Sequence, residues 1–275
     1  MNDPHVGSAG HPGTSGIPDL TIDLNADIGE TSDPDPATEE ILRFVSSANV
    51  ACGYHAGSRA VMEATVLAAR DHGVVVGAHV SYLDRAGFGR RPVDVPSALL
   101  QRHLWDQVDT LARIAERAGS HVNYVKPHGA LYHRAAADAE TARVVADVVA
   151  SLPGRNGVGA VLVVPPGSLL LTAASERGVT CVIEAFPDRA YRVGGDLVDR
   201  SAPDSVLTDV DQIARRAVAL AVHGAVERAD GAGLVPVAAR TLCLHGDGPQ
   251  APAAARAVVQ ALRQAGVTIA PFAGP

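Results

Sequence analysis

The segment Val158-Gly159-Ala160-Val161-Leu162-Val163-Val164 is apolar almost without a break. A strand with one face in water alternates apolar and polar residues, whereas a strand of a parallel sheet is covered on both faces and is apolar throughout. The segment therefore predicts a buried strand of a parallel sheet.

Other short runs rich in β-branched residues lie on both sides of this segment and alternate with longer amphipathic stretches. They cover residues 20–24, 48–51, 74–78, 122–125, 180–183, 241–244 and, as a further candidate, 267–270. Such alternation over about 250 residues favours a distorted (β/α) TIM-like barrel of seven to eight strands over an open doubly wound sheet. No glycine-rich nucleotide loop follows the first run, which also disfavours the open sheet.

The chain is expected to be organised as one domain with short extensions. Residues 1–18 have neither the basic nor the apolar part of a signal peptide and predict a flexible leader; residues 19–271 predict the barrel and residues 272–275 a tail. Residues 185–208 contain two prolines and two adjacent glycines and are too long for an ordinary turn. We expect a lid, a pocket wall or a partner-binding excursion there, or else a plain surface hairpin.

Composition limits the classes of partner. The formal net charge of −7 is dispersed, so nothing indicates binding to nucleic acid or to an anionic membrane, and no run approaches the roughly 20 apolar residues of a membrane span. The three cysteines lie far apart without C-x-x-C spacing, which favours a reduced, cytoplasmic setting. A small molecule or another protein is the expected partner, and a homo-oligomer is possible.

Polar side chains recur just past the predicted strands. They are Asn25 and Asp27, Asn49 and His55, His79, Lys126 and His128, Glu184, and His245 and Asp247. Because the carboxyl ends of parallel strands share one rim, we expect these residues to line one pocket. On the first strand Asp23, Asn25 and Asp27 alternate, so all three are expected to face the barrel axis.

Two roles compete for Asp27, His55 and His79. One is a divalent metal site of two imidazoles and a carboxylate, with positions left open for water and substrate. The other is metal-free acid–base chemistry, with Asp27 orienting an imidazole that moves a proton. The spacing does not choose between them, so no firm metal site is predicted.

Cationic side chains provide candidate anion-binding groups. Lys126 ends an apolar strand and needs a partner, which is either a ligand carboxylate or phosphate or a salt bridge to Glu184 or Asp27. Arg189 could bind a substrate carboxylate or pair with a nearby aspartate. Arg91, in the loop after the third strand, is a second candidate, with a solvated surface arginine as the alternative.

Six separate motifs resemble those of the LamB/YcsF family, in the family's order, between about residues 20 and 270. They are DLNADIGE (23–30), SANVACGYHAG (47–57), GFGRR (87–91), VKPHGALY (125–132), DRAY (188–191) and LHGD (244–247). The resemblance implies a barrel similar to those of glycoside hydrolases and carbohydrate deacetylases. It also implies ATP-dependent opening of 5-oxo-L-proline to L-glutamate, with Mg²⁺ accompanying the ATP and with partner subunits called B and C.

The resemblance suggests roles for the motif residues. Asp27, His55 or His79 would activate water, and His128, His245 or Asp247 would protonate the departing ring nitrogen. The expected substrate-binding residues are Asn25, Asn49, Lys126, Glu184, Arg189 and Arg91. No Walker or grasp-type signature is visible, so which subunit binds ATP stays open. The alternatives are a metal-dependent, deacetylase-like amide hydrolase that needs no ATP and a non-catalytic subunit.

Overall fold

The computed structural model describes residues 20–152, 159–245 and 250–274, and of His245 only the backbone. The predicted leader and Asp247 lie outside the described residues. The strands are β1 Thr21–Ile28, β2 Ser47–Ala51, β3 Val75–Val80, β4 Val122–Pro127, β5 Val161–Val164, β6 Cys181–Ala185, β7 Ala225–Glu227, β8 Leu234–Pro236, β9 Thr241–His245 and β10 Thr268–Ile269.

Seven parallel strands close into a barrel in the order β1-β2-β3-β4-β5-β6-β9, and β9 pairs back onto β1. In this closing pair Asp23 lies opposite Thr241, and Asp27 lies opposite His245. The distorted (β/α) barrel predicted from the sequence is confirmed. The candidate eighth strand, β10, pairs only with the first residues of β1 and extends that strand outside the ring of seven.

Helices follow the barrel strands as the alternation predicts. They are α1 Pro36–Leu42, α2 Arg59–Asp71, α3 Ser97–Arg117, α4 Gly129–Ala137, α5 Ala139–Ala150, α6 Leu169–Ser175, α7 Val210–His223 and α8 Ala251–Gln264. Ser58, Asp138 and Asp209 accept hydrogen bonds from backbone N–H groups in the first turns of α2, α5 and α7. These side chains satisfy donors that a helix start leaves without partners, which fixes where each helix begins.

The antiparallel hairpin of β7 and β8 is not part of the predicted pattern. Its strands have three residues each, too few to show the alternation by which a longer strand is recognised. Among the described residues, no helix combines the length and the apolar character needed to cross a membrane.

The amino-terminal half of the barrel interior is filled mainly by apolar side chains. Val75, Val161 and Val163 pack there around the ring of Tyr124. Gly77 on β3 makes this packing possible, because a Cβ atom at this position would overlap that ring. Phe272, in the predicted tail, packs edge-on against Tyr124 with the ring centroids 4.9 Å apart. Above this apolar packing, toward the carboxyl-terminal end of the barrel, Asn25, Asp27, Lys126 and Glu184 make the interior polar.

Candidate active site

A buried polar network, called here the floor, crosses the barrel axis. It consists of Asn25, Asp27, Asn49, Lys126 and Glu184. Asn25 donates through Nδ2 to Glu184 Oε1 at 3.1 Å and accepts through Oδ1 from Asn49 Nδ2 at 2.6 Å. Asn49 also donates to Asp27 Oδ1 at 2.8 Å. The alternation on β1 thus points its polar residues inward, as the sequence predicts.

Lys126 is the cation of the floor. Its Nζ atom lies 2.9 Å from Asp27 Oδ1, 2.8 Å from Glu184 Oε1 and 3.0 Å from Cys243 Sγ. Burial alone would lower the pKa of Lys126, but Asp27, Cys243 and Glu184 together raise it well above its ordinary value. Both salt-bridge partners considered from the sequence are therefore present, and they hold the ammonium inside the barrel.

Two other carboxyls in the barrel are easier to protonate than usual. Burial raises the pKa of Glu184, and its Oε2 atom is buried with no hydrogen-bond partner among the described residues. Asp23 lies below the floor and accepts through Oδ1 from the hydroxyls of Ser46 and Ser47 at 2.7 and 2.6 Å. Burial nevertheless raises the pKa of Asp23 to about 6.

Above the floor, four side chains each contribute one atom that could bind a metal ion, and these four atoms lie within 4.8 Å of one another. This histidine cluster consists of Glu30, His55, His79 and His128. Glu30 Oε1 lies 3.1 Å from His55 Nε2, 3.9 Å from His79 Nε2 and 3.7 Å from His128 Nδ1. His79 Nε2 and His128 Nδ1 are 2.9 Å apart. Residues from four consecutive strand ends thus meet, as expected for the carboxyl ends of parallel strands.

The other nitrogen of each imidazole contacts an oxygen atom outside the cluster. His55 Nδ1 lies 3.0 Å from Ser81 Oγ, His79 Nδ1 3.2 Å from the Lys126 carbonyl, and His128 Nε2 2.9 Å from the Phe88 carbonyl. Burial, helped by His79, lowers the pKa of His55 to about 2 and that of His128 well below its ordinary value. These two rings stack with their centroids 3.9 Å apart, an arrangement suited to neutral imidazoles.

A cavity of about 610 Å³ opens above the floor and the cluster. Asp27, Glu30, His79, Lys126 and His128 lie at its base, and residues 186–201 supply much of its wall. This wall belongs to the long segment 185–208, which also forms two antiparallel bridges, Arg189–Val206 and Tyr191–Leu197. The segment is therefore both an irregular hairpin and a pocket wall.

The two predicted arginines lie in different surroundings. Arg91 forms an ion pair with Asp84 and is largely exposed, whereas its neighbour Arg90 lines the cavity. Arg189 lines the cavity too, but its guanidinium donates to the carbonyls of Ser205 at 3.1 Å and Val198 at 2.6 Å. These two bonds tie the wall together, while the nearby carboxylate of Asp188 favours the charged form of the same guanidinium.

Other predicted residues support the site from below. Asn25, Asn49 and Glu184 are buried in the floor and do not line the cavity. The backbone of His245 lies beside Asp27, and Asp247 falls outside the described residues.

Several residues at the site are absent from the predicted catalytic and substrate-binding sets, among them Glu30, Arg90, Tyr132, Arg192, Arg200 and Cys243. A signal existed for Cys243, because it precedes His245 by two positions and alternate residues of a barrel strand point inward. Glu30 stands three residues after Asp27 in the same motif, but only the turn at Gly29 brings it to the histidines, and sequence spacing does not show this.

Comparisons with known proteins agree with the motifs. The sequence profile of the LamB/YcsF family matches residues 22–275. The chain is 52% identical over 254 residues to the A subunit of 5-oxoprolinase from Streptomyces coelicolor, covering 92% of this chain and 100% of the relative. It is 44% identical over 255 residues to the A subunit of 5-oxoprolinase from Thermus thermophilus, covering 92% of this chain and 100% of that relative.

A solved structure extends the agreement to the fold. The lactam utilization protein from Thermus thermophilus matches with a TM-score of 0.84 at 43% sequence identity, covering 92% of this chain and 100% of that one. The chain belongs to the LamB/YcsF family.

Proposed function

We propose that the chain is the A component of an ATP-dependent 5-oxoprolinase, which opens 5-oxo-L-proline to L-glutamate together with B and C subunits. The observation that carries the proposal is the 52% identity over the whole length of a relative named as the A component of 5-oxoprolinase. The three cysteines are free, in keeping with a reduced, cytoplasmic setting.

The chemistry of the lactam explains why ATP would be needed. A five-membered lactam is an unreactive amide with a poor leaving group. Phosphorylation of its oxygen makes the ring carbon electrophilic enough for water to attack. Because the chain has no Walker loop, we assign the use of ATP and Mg²⁺ to the complete complex and not to this chain by itself.

The cavity has the charges that such a substrate needs. Asp27 lies at its base, and the ammonium of Lys126, 2.9 Å away, favours the anionic form of Asp27 that a general base requires. Arg90, Arg192 and Arg200 also line the cavity, where positive charge suits a carboxylate or a phosphorylated oxygen. In this mechanism Lys126 acts through Asp27, and the cavity arginines replace it as the anion-binding groups.

The test is reconstitution of the complex. The chain is mixed with the B and C subunits of the same organism, 5-oxoproline, ATP and Mg²⁺, and glutamate and ADP are measured. Glutamate is expected only from the complete mixture. An Asp27→Asn variant is expected to lose about 100-fold or more in turnover, whereas Asp109→Asn, which alters an exposed helix pair with Arg113, should leave turnover unchanged.

Failure has two recognisable forms. A complete mixture that forms no glutamate would contradict the proposed reaction. Glutamate formed by the chain alone without ATP, and abolished by a chelator, would instead support the metal-dependent amide hydrolase.

A further inference from the structure

We infer that Glu30, His55, His79 and His128 bind one divalent transition-metal ion, with Zn²⁺ the best match to their donor atoms. The set offers three imidazole nitrogens and one carboxylate oxygen, all within 4.8 Å of one another. The inference does not depend on the proposed reaction, because metal content can be measured without substrate.

The hydrogen bonds outside the cluster fix which nitrogen of each ring carries the proton. A carbonyl oxygen only accepts, so His79 Nδ1 and His128 Nε2, which face carbonyls, are the protonated atoms. The hydroxyl of Ser81 donates to the Tyr82 carbonyl and is left to accept from His55 Nδ1. In the neutral form of each ring, the nitrogen that faces the cluster therefore carries a lone pair.

Lone pairs that face each other at hydrogen-bond distance repel unless a cation lies between them. His79 Nε2 and His128 Nδ1 are 2.9 Å apart, and His55 Nε2 lies 3.1 Å from Glu30 Oε1. One proton would turn only one of these two contacts into a hydrogen bond. A single divalent ion accepts electron density from all four atoms at once, and it does so without placing a charge on the stacked rings of His55 and His128.

The spacing and the donor types fit zinc. Four ligands at zinc–nitrogen distances of about 2.0–2.1 Å in a tetrahedron lie about 3.3 Å apart, and the contacts described above for the cluster run from 2.9 to 3.9 Å. Imidazole donors suit Zn²⁺ and its neighbours, whereas Mg²⁺ and Ca²⁺ prefer oxygen. Each imidazole is also oriented by an acceptor on its far side, as histidine ligands of metals usually are.

This site differs from the metal set suggested by the sequence in its carboxylate. Asp27 Oδ1 lies 3.4 Å from His79 Nε2, but the ammonium of Lys126 is nearer, at 2.9 Å. A cation so close to Asp27 opposes a second cation on the same oxygen. Glu30 is therefore the carboxylate ligand, and His128 becomes a ligand instead of the proton donor that the family resemblance suggests.

The experiment uses the full chain prepared without a histidine tag. The chain is stripped with chelator, dialysed against Zn²⁺ or Co²⁺, and examined by elemental analysis, thermal unfolding and visible spectroscopy. We expect about one ion per chain, a higher melting temperature on zinc binding, and the visible bands of tetrahedral Co²⁺. Mg²⁺ in large excess should not displace zinc.

Variants locate the ion. His79→Ala and Glu30→Gln should each weaken zinc binding by about 100-fold or more, since even outer partners of a ligand contribute about 10–100-fold. His72→Ala removes an exposed imidazole outside the cluster and should bind zinc like the unaltered chain. Circular dichroism of the metal-free proteins shows whether each variant folds. Zinc retained in both cluster variants, or no zinc in the unaltered chain, would overturn the inference.

Discussion

The floor and the histidine cluster lie next to each other on the barrel axis but are built on opposite principles. In the floor, donors meet acceptors: the ammonium of Lys126 lies between the carboxylates of Asp27 and Glu184, and Asn25 both donates and accepts. In the cluster, acceptors meet acceptors, because the outer hydrogen bonds turn three lone pairs toward Glu30. In the floor, the ammonium of Lys126 is supplied by the protein itself, whereas the cluster is suited to hold an added cation.

This contrast suggests that the floor contributes mainly to the stability of the barrel and the histidine cluster mainly to ligand binding. A buried ion network loses much stability if one member is removed, because the remaining charge keeps its desolvation cost without its partner. The histidine cluster contains no buried ammonium–carboxylate pair of this kind, so losing one of its imidazoles should affect ligand binding more than folding. The following substitutions test this contrast in order of their expected effect on the free energy of unfolding.

Lys126→Met should have the largest effect. It leaves Asp27 and Glu184 buried without their cation, and breaking a buried pair in this way costs about 3–5 kcal/mol. Urea unfolding at pH 7.5 measures the loss. The matched control combines Lys126→Met with Glu184→Gln. The second substitution removes one of the two buried carboxylates that have lost their cation, so the double variant should recover part of the stability.

The pH dependence of this variant has a definite sign. Without the ammonium, the pKa of Glu184, which burial already raises, rises further, so this carboxyl binds a proton more readily in the folded than in the unfolded state. The destabilisation should therefore shrink as the pH falls from 7.5 toward 5. A decrease in the free energy of unfolding below about 1 kcal/mol at pH 7.5, or one that does not change with pH, would show that the stability of the floor does not depend on the Lys126 ammonium.

Asp23→Asn tests the carboxyl below the floor. Its pKa is about 6 in the folded chain against an ordinary 3.8, so its contribution to stability is fully present below pH 4 and is lost as the pH rises through 6. The shift corresponds to about 3 kcal/mol. Relative to the variant, the unaltered chain should lose up to that amount between pH 4 and pH 7 in urea unfolding. Parallel curves for the two proteins would contradict the raised pKa.

The sequence predicts the parts of the site that depend on strand order and periodicity. Alternation along β1 predicts that Asp23, Asn25 and Asp27 face inward, and the shared rim of a parallel sheet predicts that Asp27 approaches His79. These inferences need only the direction of the strands and a period of two. They hold because neither depends on how a loop bends.

The remaining parts depend on three-dimensional detail that spacing does not contain. Arg90 and Arg91 are neighbours in one motif, but the loop turns one into the cavity and the other toward Asp84. Phe88 adopts a left-handed backbone with φ of 54°, which no periodicity indicates. Glu30 reaches the histidines because the backbone turns at Gly29, and sequence spacing does not show this turn either. The loops after the strands thus decide which carboxylate and which arginine take part.

Gly89→Ala should damage the cluster and spare the floor. Gly89 has φ of +66°, and an added Cβ would lie 2.8 Å from His128 Cδ2 and His55 Cβ. The left-handed conformation alone costs a residue with a side chain about 1–3 kcal/mol. Gly119→Ala is the matched control, because Gly119 has φ of +70° with no heavy atom within 4 Å of the added Cβ. Both variants should lose stability, measured by urea unfolding, but only Gly89→Ala should also weaken zinc binding.

Ser81→Ala should have the smallest effect on stability and is the sharpest test of the contrast. It removes the acceptor of His55 Nδ1 and should cost about 1 kcal/mol. Without that acceptor His55 is free to change tautomer, and its zinc affinity should fall about 10-fold. Ser168→Ala removes a buried serine that caps α6, at a similar expected cost and away from the cluster. Equal losses of zinc affinity in both variants would mean that affinity follows general stability; a loss confined to Ser81→Ala would show that an outer hydrogen bond orients the lone pair of His55 toward the ion.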